Sequence, residues 1–164
     1  MSPTLSTLAL PSGEVALRRA KLADLPAIVG LLADDPLGNS RETATPEADL
    51  QPYRDAFGAI DADPAQLLVV ATAAHDVVGT MQLSFIPGLS RRGALRAQIE
   101  AVRVRDDYRS QGLGRAMFDW AIDEARRYGC ALVQLTTDKA RTDAHRFYER
   151  LGFVASHEGL KLEL

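Results

Sequence analysis

Apolar residues along this chain recur with two periods. Alternation at every second position marks a strand at 14–20 (EVALRRA), and apolar runs rich in β-branched residues mark strands at 66–73 (QLLVVATA), 77–86 (VVGTMQLSFI) and 99–104 (IEAVRV). The middle two join through a His75-Asp76 turn as an antiparallel hairpin. The apolar run at 131–137 predicts a buried strand. Steps of three and four residues mark four helices. The first follows Asp24, an N-cap before Leu25-Pro26, and buries Ile28, Val29, Leu31 and Leu32. The second, 47–60, carries Leu50, Tyr53, Phe57 and Ile60, interrupted by Pro52. The third carries Leu113, Ala116, Met117, Trp120, Ala121 and Ala125, and Gly129 ends it as a left-handed C′ glycine. The fourth, capped by Thr142 or Asp143, carries Ala144, Phe147, Tyr148 and Leu151 and ends at Gly152.

Residues 1–13 are expected to be a flexible leader, 36–46 a loop, and 153–156 with 160–164 a final hairpin. The order β-α-α-β-β-β-α-β-α-β-β over 14–164 describes one α+β domain. It has a mixed sheet of about seven strands with four helices, and a right-handed crossover makes the two strands flanking the third helix a parallel pair.

Between the strand at 99–104 and the third helix lies Arg109-Ser110-Gln111-Gly112-Leu113-Gly114. Glycines at a helix mouth let a ligand approach the backbone. The first-turn N–H groups there lack intrahelical partners and sit at the positive end of the helix dipole. This is an anion cradle, to which Arg109 and Arg115 add charge. A P-loop would need Lys-Ser/Thr after the last glycine, where Arg115-Ala116 stands. A dinucleotide fingerprint would need a glycine at Met117.

The chain has 164 residues, long enough for one domain with a proper core. Apolar and charged fractions of 46% and 25% are ordinary for a soluble protein, and a net charge of -3 argues against a dedicated nucleic-acid binder. The single Cys130, beside Ala131-Leu132-Val133, excludes an intramolecular disulfide and reads as a small buried hydrophobe. No apolar run approaches a membrane span of ~20 residues, and the N-terminus lacks the pattern of a signal peptide, so the expected location is cytoplasmic with no membrane partner. No metal site is expected.

The turn Arg109-x-x-Gly112-x-Gly114 matches the Arg/Gln-x-x-Gly-x-Gly/Ala turn of the GNAT N-acetyltransferases. Val102-x-Val104 before it, and Ala144-His145-Arg146-Phe147-Tyr148 through Gly152-Phe153 after it, also resemble that family, over residues 95–160. The resemblance implies transfer of an acetyl group from acetyl-CoA, the co-substrate, to a primary amine. It implies that the central parallel pair splays to admit the pantetheine arm. The cofactor-binding residues it implies are Val102, Arg103, Val104, Arg109, Ser110, Gln111, Gly112, Leu113, Gly114 and Arg115. Dimers are common among similar proteins, and a homodimer is one arrangement the resemblance allows.

Direct acetyl transfer needs a base for the ammonium, a donor for the oxyanion and an acid for the thiolate. The resemblance assigns the acid to Tyr148, against the plainer reading that its ring continues the apolar stripe. It assigns the base to Glu100, two residues before Val102, acting directly or through water; an ion pair with Arg103 or Arg105 is the competing reading. A carboxylate becomes a usable base where apolar neighbours bury it. A bulge near Val102 and Val104 would supply an unpaired N–H for the oxyanion.

Many members carry an asparagine where this chain has Arg141. His145, three residues before Tyr148, reads as packing or a surface hydrogen bond. Asp34, Asp35, Asp49 and Asp55 could meet a cationic amine, and Arg91, Arg92 and Arg96 an acidic group, although solvated charge explains both sets. Residues 135–153 are similar in style to small-molecule members such as aminoalkylphosphonate acetyltransferases. This favours a small-molecule amine without assigning it and leaves open a protein amine. A non-catalytic acyl-CoA-binding sensor is the alternative function class.

Overall fold

In the computed structural model, which describes residues 3–34 and 50–164, six strands line up in chain order in one sheet. They are β1 (Thr4–Leu10), β2 (Gly13–Arg19), β3 (Gln66–Ala73), β4 (Asp76–Ile86), β5 (Arg96–Val104) and β6 (Leu132–Leu135). The helices are α1 (Leu25–Ala33), α2 (Gln51–Ala62), α3 (Leu113–Arg127) and α4 (Thr142–Arg150). Residues 1–134 and 135–164 form two compact units. Among the described residues no helix is long and apolar enough to cross a membrane.

The first four strand pairings are antiparallel. The fifth is parallel, because its bonds advance together along both strands. The Ala131 N–H donates to the Leu95 carbonyl at 2.8 Å, and three residues on Gln134 Nε2 donates to Gln98 Oε1 at 2.7 Å. This register ends β6 level with Ile99, so Glu100 to Val104 run on past it.

The two faces of the sheet are filled from different helices. Leu68 and Val70 of β3 pack with Ala20, Ile28, Leu32, Phe57 and Ile60 under α1 and α2. On the other face, α3 turns Leu113, Met117, Phe118 and Ala121 inward, each at most 1% exposed. Its seat at the sheet is Gly79, where a Cβ would come within 3.2 Å of Met117 Sδ and of the Arg103 carbonyl. At the far end of α3, Tyr128 stacks on Phe85 with ring centroids 3.8 Å apart. α3 touches both β1 and β5, so the sheet curls around it.

Several expectations change. The leader supplies β1, because Leu8 is buried and Pro11-Ser12 close a two-residue hairpin onto β2. The final hairpin is not formed. Residues 153–164 carry no strand, and Val154, Leu160 and Leu162 are 81%, 93% and 86% exposed; an isolated two-stranded hairpin is marginal in water. One strand gained and two lost give six in place of about seven. The strand predicted at 131–137 is the shorter β6, and it is half-buried.

Pro52 does not interrupt α2 but sits in its first turn, where its missing N–H has no intrahelical role. The loop at 36–46, the start of the predicted second helix at 47–49, and Asp35 lie outside the described residues. Asp24 ends a short 3-10 turn rather than capping α1 with its side chain. Its carboxylate accepts two bonds from the Arg18 guanidinium, at 2.7 and 2.8 Å, and one from the Lys21 N–H at 2.7 Å. Burial alone would push the Asp24 carboxyl up; the Arg18 fork and the Lys21 amide outweigh it and hold the carboxyl below its usual range.

Candidate active site

The site begins with an irregularity in β5. Glu100 pairs with Gln82 and Arg103 with Thr80, so Ala101 and Val102 together face the single residue Met81. This is a β-bulge, with Ala101 at φ 52°. A non-glycine residue there costs about 1–2 kcal/mol, and no glycine advertises the position in the sequence. The bulge fixes the parity that the sequence leaves open. Arg103 lies on the face of Glu100, whereas Val104, opposite Gly79, faces α3.

After Val104 the chain makes a 3-10 turn, Asp106–Tyr108. Arg105 clamps it with a two-pronged bond to Asp107 at 2.7 and 2.9 Å, and that hydrogen bond draws the Asp107 carboxyl below its usual range. Arg109 folds back over the same turn, donating to the Val104 carbonyl at 3.1 Å and pairing with Asp106 at 2.5 Å. Gln111 Nε2 donates to the Asp107 carbonyl. Ser110 at φ 60° and Gly112 at φ 88° are left-handed, and together they reverse the chain into α3.

Gly112 is the N-cap of α3, and no side chain caps that helix. The first intrahelical bond runs from the Ala116 N–H to the Gly112 carbonyl, 3.0 Å. The N–H groups of Leu113, Gly114 and Arg115 therefore have no partner within the helix, and they point along its positive end. No heavy atom lies within 4 Å of the position a Cβ on Gly112 would take. Uncapped donors, open space and a left-handed glycine suit a bound diphosphate. The charges expected to assist are already committed to exposed carboxylates, Arg109 to Asp106 and Arg115 to Asp119 at 3.3 Å. Exposed pairs of this kind are weak and exchange readily for a doubly charged ligand.

Glu100 is exposed, not buried between apolar neighbours, because it faces away from Ala97 and Ile99, which are buried on the α3 side. It accepts a hydrogen bond from Gln98 Nε2, and Gln98 in turn accepts from Gln134. Arg103 Nη1 donates to the Val102 carbonyl at 2.8 Å, and Arg105 is held by Asp107. On the same face Gln66 Oε1 accepts from Gln82 at 3.0 Å and from Ser84 at 2.7 Å. A polar strip of Gln66, Gln82, Ser84, Gln98, Glu100 and Gln134 thus crosses four strands. Its signal in the sequence is the period-two polarity of Arg96, Gln98 and Glu100; the contacts across strands carry no local signal.

Tyr148 belongs to the second unit. It is the C3 residue of a helix end in which the Gly152 N–H bonds to the Glu149 carbonyl and the Phe153 N–H to the Tyr148 carbonyl, both at 3.0 Å. Gly152 is left-handed at φ 93°. This Schellman motif lays the Phe153 ring edge-on to the Tyr148 ring, centroids 6.1 Å apart. The sequence Tyr-x-x-x-Gly-Phe is therefore a device that fixes the phenol. Arg141, not Thr142 or Asp143, is the N-cap of α4, without a side-chain cap bond. His145 Nε2 lies 3.2 Å from the Asp138 carbonyl, in keeping with a local hydrogen bond. Cys130 is half-buried, and burial pushes its thiol up. Among the described residues no cluster of His, Cys, Asp or Glu could hold a metal.

A bulged strand, a glycine turn and an uncapped helix in this order define a class, and comparison with known sequences identifies it. A sequence model of the Acetyltransferase (GNAT) family matches residues 33–153, and the chain belongs to that family, whose reaction is acetyl transfer to an amine. It is 33% identical over 141 residues to an aminoalkylphosphonate N-acetyltransferase of Salmonella typhimurium, covering 86% of each chain. It is 31% identical over 146 residues to an L-methionine sulfoximine/L-methionine sulfone acetyltransferase of Pseudomonas paraeruginosa, covering 86% of this chain and 81% of that one. Among solved structures it superposes with a TM-score of 0.86, at 46% identity, on a transcriptional regulator from Bacillus halodurans C-125, covering 92% of this chain and 99% of that one.

Proposed function

We propose that this protein transfers the acetyl group of acetyl-CoA to the amine of a small molecule. The observation that carries the reading is the mouth of α3, three first-turn amides without side-chain caps behind a left-handed Gly112. Those amides, with Arg109, Ser110, Gln111 and Arg115 around them, would hold the diphosphate. The backbone of Val102, Arg103 and Val104 would guide the pantetheine arm along β5. Acetyl-CoA supplies an acyl group already activated as a thioester. Glu100 takes the proton of the incoming ammonium, directly or through water, and Gln98 steadies its carboxylate. A backbone N–H at the bulge of Ala101 and Val102 stabilises the developing oxyanion. Tyr148 returns a proton to the leaving thiolate.

The acceptors named for the relatives, an aminoalkylphosphonate and methionine sulfoximine or sulfone, support a small acceptor here. A thiol-release assay over a panel of small amines tests the reading. Turnover is expected, and Tyr148→Phe should lower kcat by about a hundredfold if the phenol is the acid. A second reading, an acyl-CoA-binding sensor without turnover, draws on the likeness to the B. halodurans transcriptional regulator. Tight coenzyme A binding with no thiol release on any amine would favour it.

A further inference from the structure

The side chains of the polar strip spend their donors and acceptors unequally. Gln66, Leu68 and Val70 alternate onto the face that α1 and α2 cover, and the register carries Gln82, Ser84, Gln98 and Glu100 onto the same face. On Gln66 the amide oxygen accepts twice, from Gln82 Nε2 at 3.0 Å and from Ser84 Oγ at 2.7 Å. Two donors on one oxygen fix which way round that amide stands, and they commit the Gln82 nitrogen to Gln66. What Gln82 has left is its oxygen. Among the described residues no donor bonds Gln82 Oε1, and it is not one of their buried orphan atoms, so it opens onto solvent. Gln82 stands directly opposite Glu100 across the ladder of β4 and β5. Side chains paired in this way have Cβ atoms about 4.5–5.5 Å apart. Glu100 gives Oε1 to Gln98, which Gln134 holds in turn, and keeps Oε2. Each of the pair is thus tied to a glutamine and keeps an oxygen for a ligand. Adjacent acceptors, one anionic and one neutral, match a group with several N–H donors and a single positive charge.

We propose that Gln82 Oε1 and Glu100 Oε2 together seat the primary ammonium of the acceptor, and that Gln82 holds the nitrogen while Glu100 takes its proton. The reaction explains why one of the two acceptors is neutral. An ammonium brings three N–H bonds. One proton passes to Glu100, one N–H stays on Gln82 Oε1, and the electron pair set free forms the new C–N bond as the C–S bond of the thioester breaks. An amide oxygen accepts from an ammonium and from a neutral amine alike, so the nitrogen keeps its place as its charge is lost. A second carboxylate at position 82 would bind the ammonium more strongly and retain the proton that has to leave. The seat rests on the acetyltransferase reading, with Glu100 as base, and adds Gln82 as the residue that positions the amine.

The test measures thiol release with propylamine, ethanolamine and β-alanine in the unmodified protein and in three variants. Gln82→Met removes the acceptor, and KM for the amines should rise about tenfold, the effect of one hydrogen bond to a charged group, with KM for acetyl-CoA unchanged. Gln82→Glu keeps an acceptor at the position, so KM for the amines should stay level or fall, while kcat drops about threefold to tenfold as the ammonium holds its proton. Gln66→Met breaks the same side-chain bond from its other end and leaves Gln82 Oε1 in place, so KM for the amines should rise by about threefold at most. Equal rises in Gln82→Met and Gln82→Glu, or in Gln82→Met and Gln66→Met, would mean that only the bond to Gln66 matters and would overturn the seat. An amine KM unmoved in Gln82→Met overturns it as well. Should Gln82→Met not fold, a KM raised in Gln82→Glu as far as in Gln66→Met overturns it still. Each of these results leaves the acetyltransferase reading intact. Thiol release with none of a broad amine panel overturns that reading, and the seat with it.

Discussion

Replacing Gly112 with aspartate separates binding from folding at the mouth of α3. The glycine sits at φ 88° with open space where a Cβ would stand, so a side chain meets strain but no clash. A left-handed L-residue costs about 1–2 kcal/mol, toward the lower end for aspartate. A carboxylate at a helix N-terminus recovers about 0.3–1 kcal/mol through the dipole. The net loss, about 1 kcal/mol, should lower Tm by about 2–4 °C in a chain of this size. Binding should suffer far more, because the new carboxylate occupies the diphosphate's position with the same sign of charge. Loss of even one charge-assisted hydrogen bond, about 1.5–3 kcal/mol, raises KM for acetyl-CoA about tenfold to a hundredfold. Thiol release at varied acetyl-CoA, beside a melting curve, measures both. A KM equal to that of the unmodified chain, with the small drop in Tm present, would refute the assignment of the cradle.

Gly79→Ala should destabilise the fold by about 1–3 kcal/mol through overpacking, since the added methyl meets the Arg103 carbonyl, Met117 Sδ and Ala71 Cβ at 3.2–3.3 Å; a melting curve reads it. Gln98→Leu removes the donor to Glu100 and should lower kcat about threefold to tenfold, with KM for acetyl-CoA held, in steady-state kinetics. Asp24 has a folded pKa depressed below its unfolded value of ~3.9, so the stability it supplies is fully present above that value and is lost as pH falls through the folded one. Asp24→Asn should therefore lower Tm at neutral pH and flatten its fall on acidification below about pH 4, followed by thermal melts across that range.

Much of the fold was legible because its periodicities are strong where burial is complete. β3 and β4 lie in the middle of the sheet, and their apolar, β-branched runs place them to within a residue. α3 shows its stripe and its Gly129 stop, and the Schellman bonds that follow are the ones a C′ glycine makes. β1 was not legible, for it is an edge strand with one buried side chain, Leu8, among serines and threonines. The C-terminal residues misled in the opposite direction, alternating Leu160, Leu162 and Leu164 without a paired strand.

At the site, the glycine turn and its helix were readable from local spacing. The bulge was foreseen as a kind of feature, but Ala101 carries no glycine to locate it. The surroundings of Glu100 were misjudged because its parity against the buried Ala97 and Ile99 puts it on the opposite, exposed polar face. Gln134 reaches Gln98 from 36 residues away, and no local pattern records such a partner.

Calorimetric titration of the intact protein with coenzyme A, and separately with NAD and ATP, tests the central claim most directly. Stoichiometric heat with coenzyme A and none with the two nucleotides is the predicted result. Heat with NAD or ATP and silence with coenzyme A would contradict it.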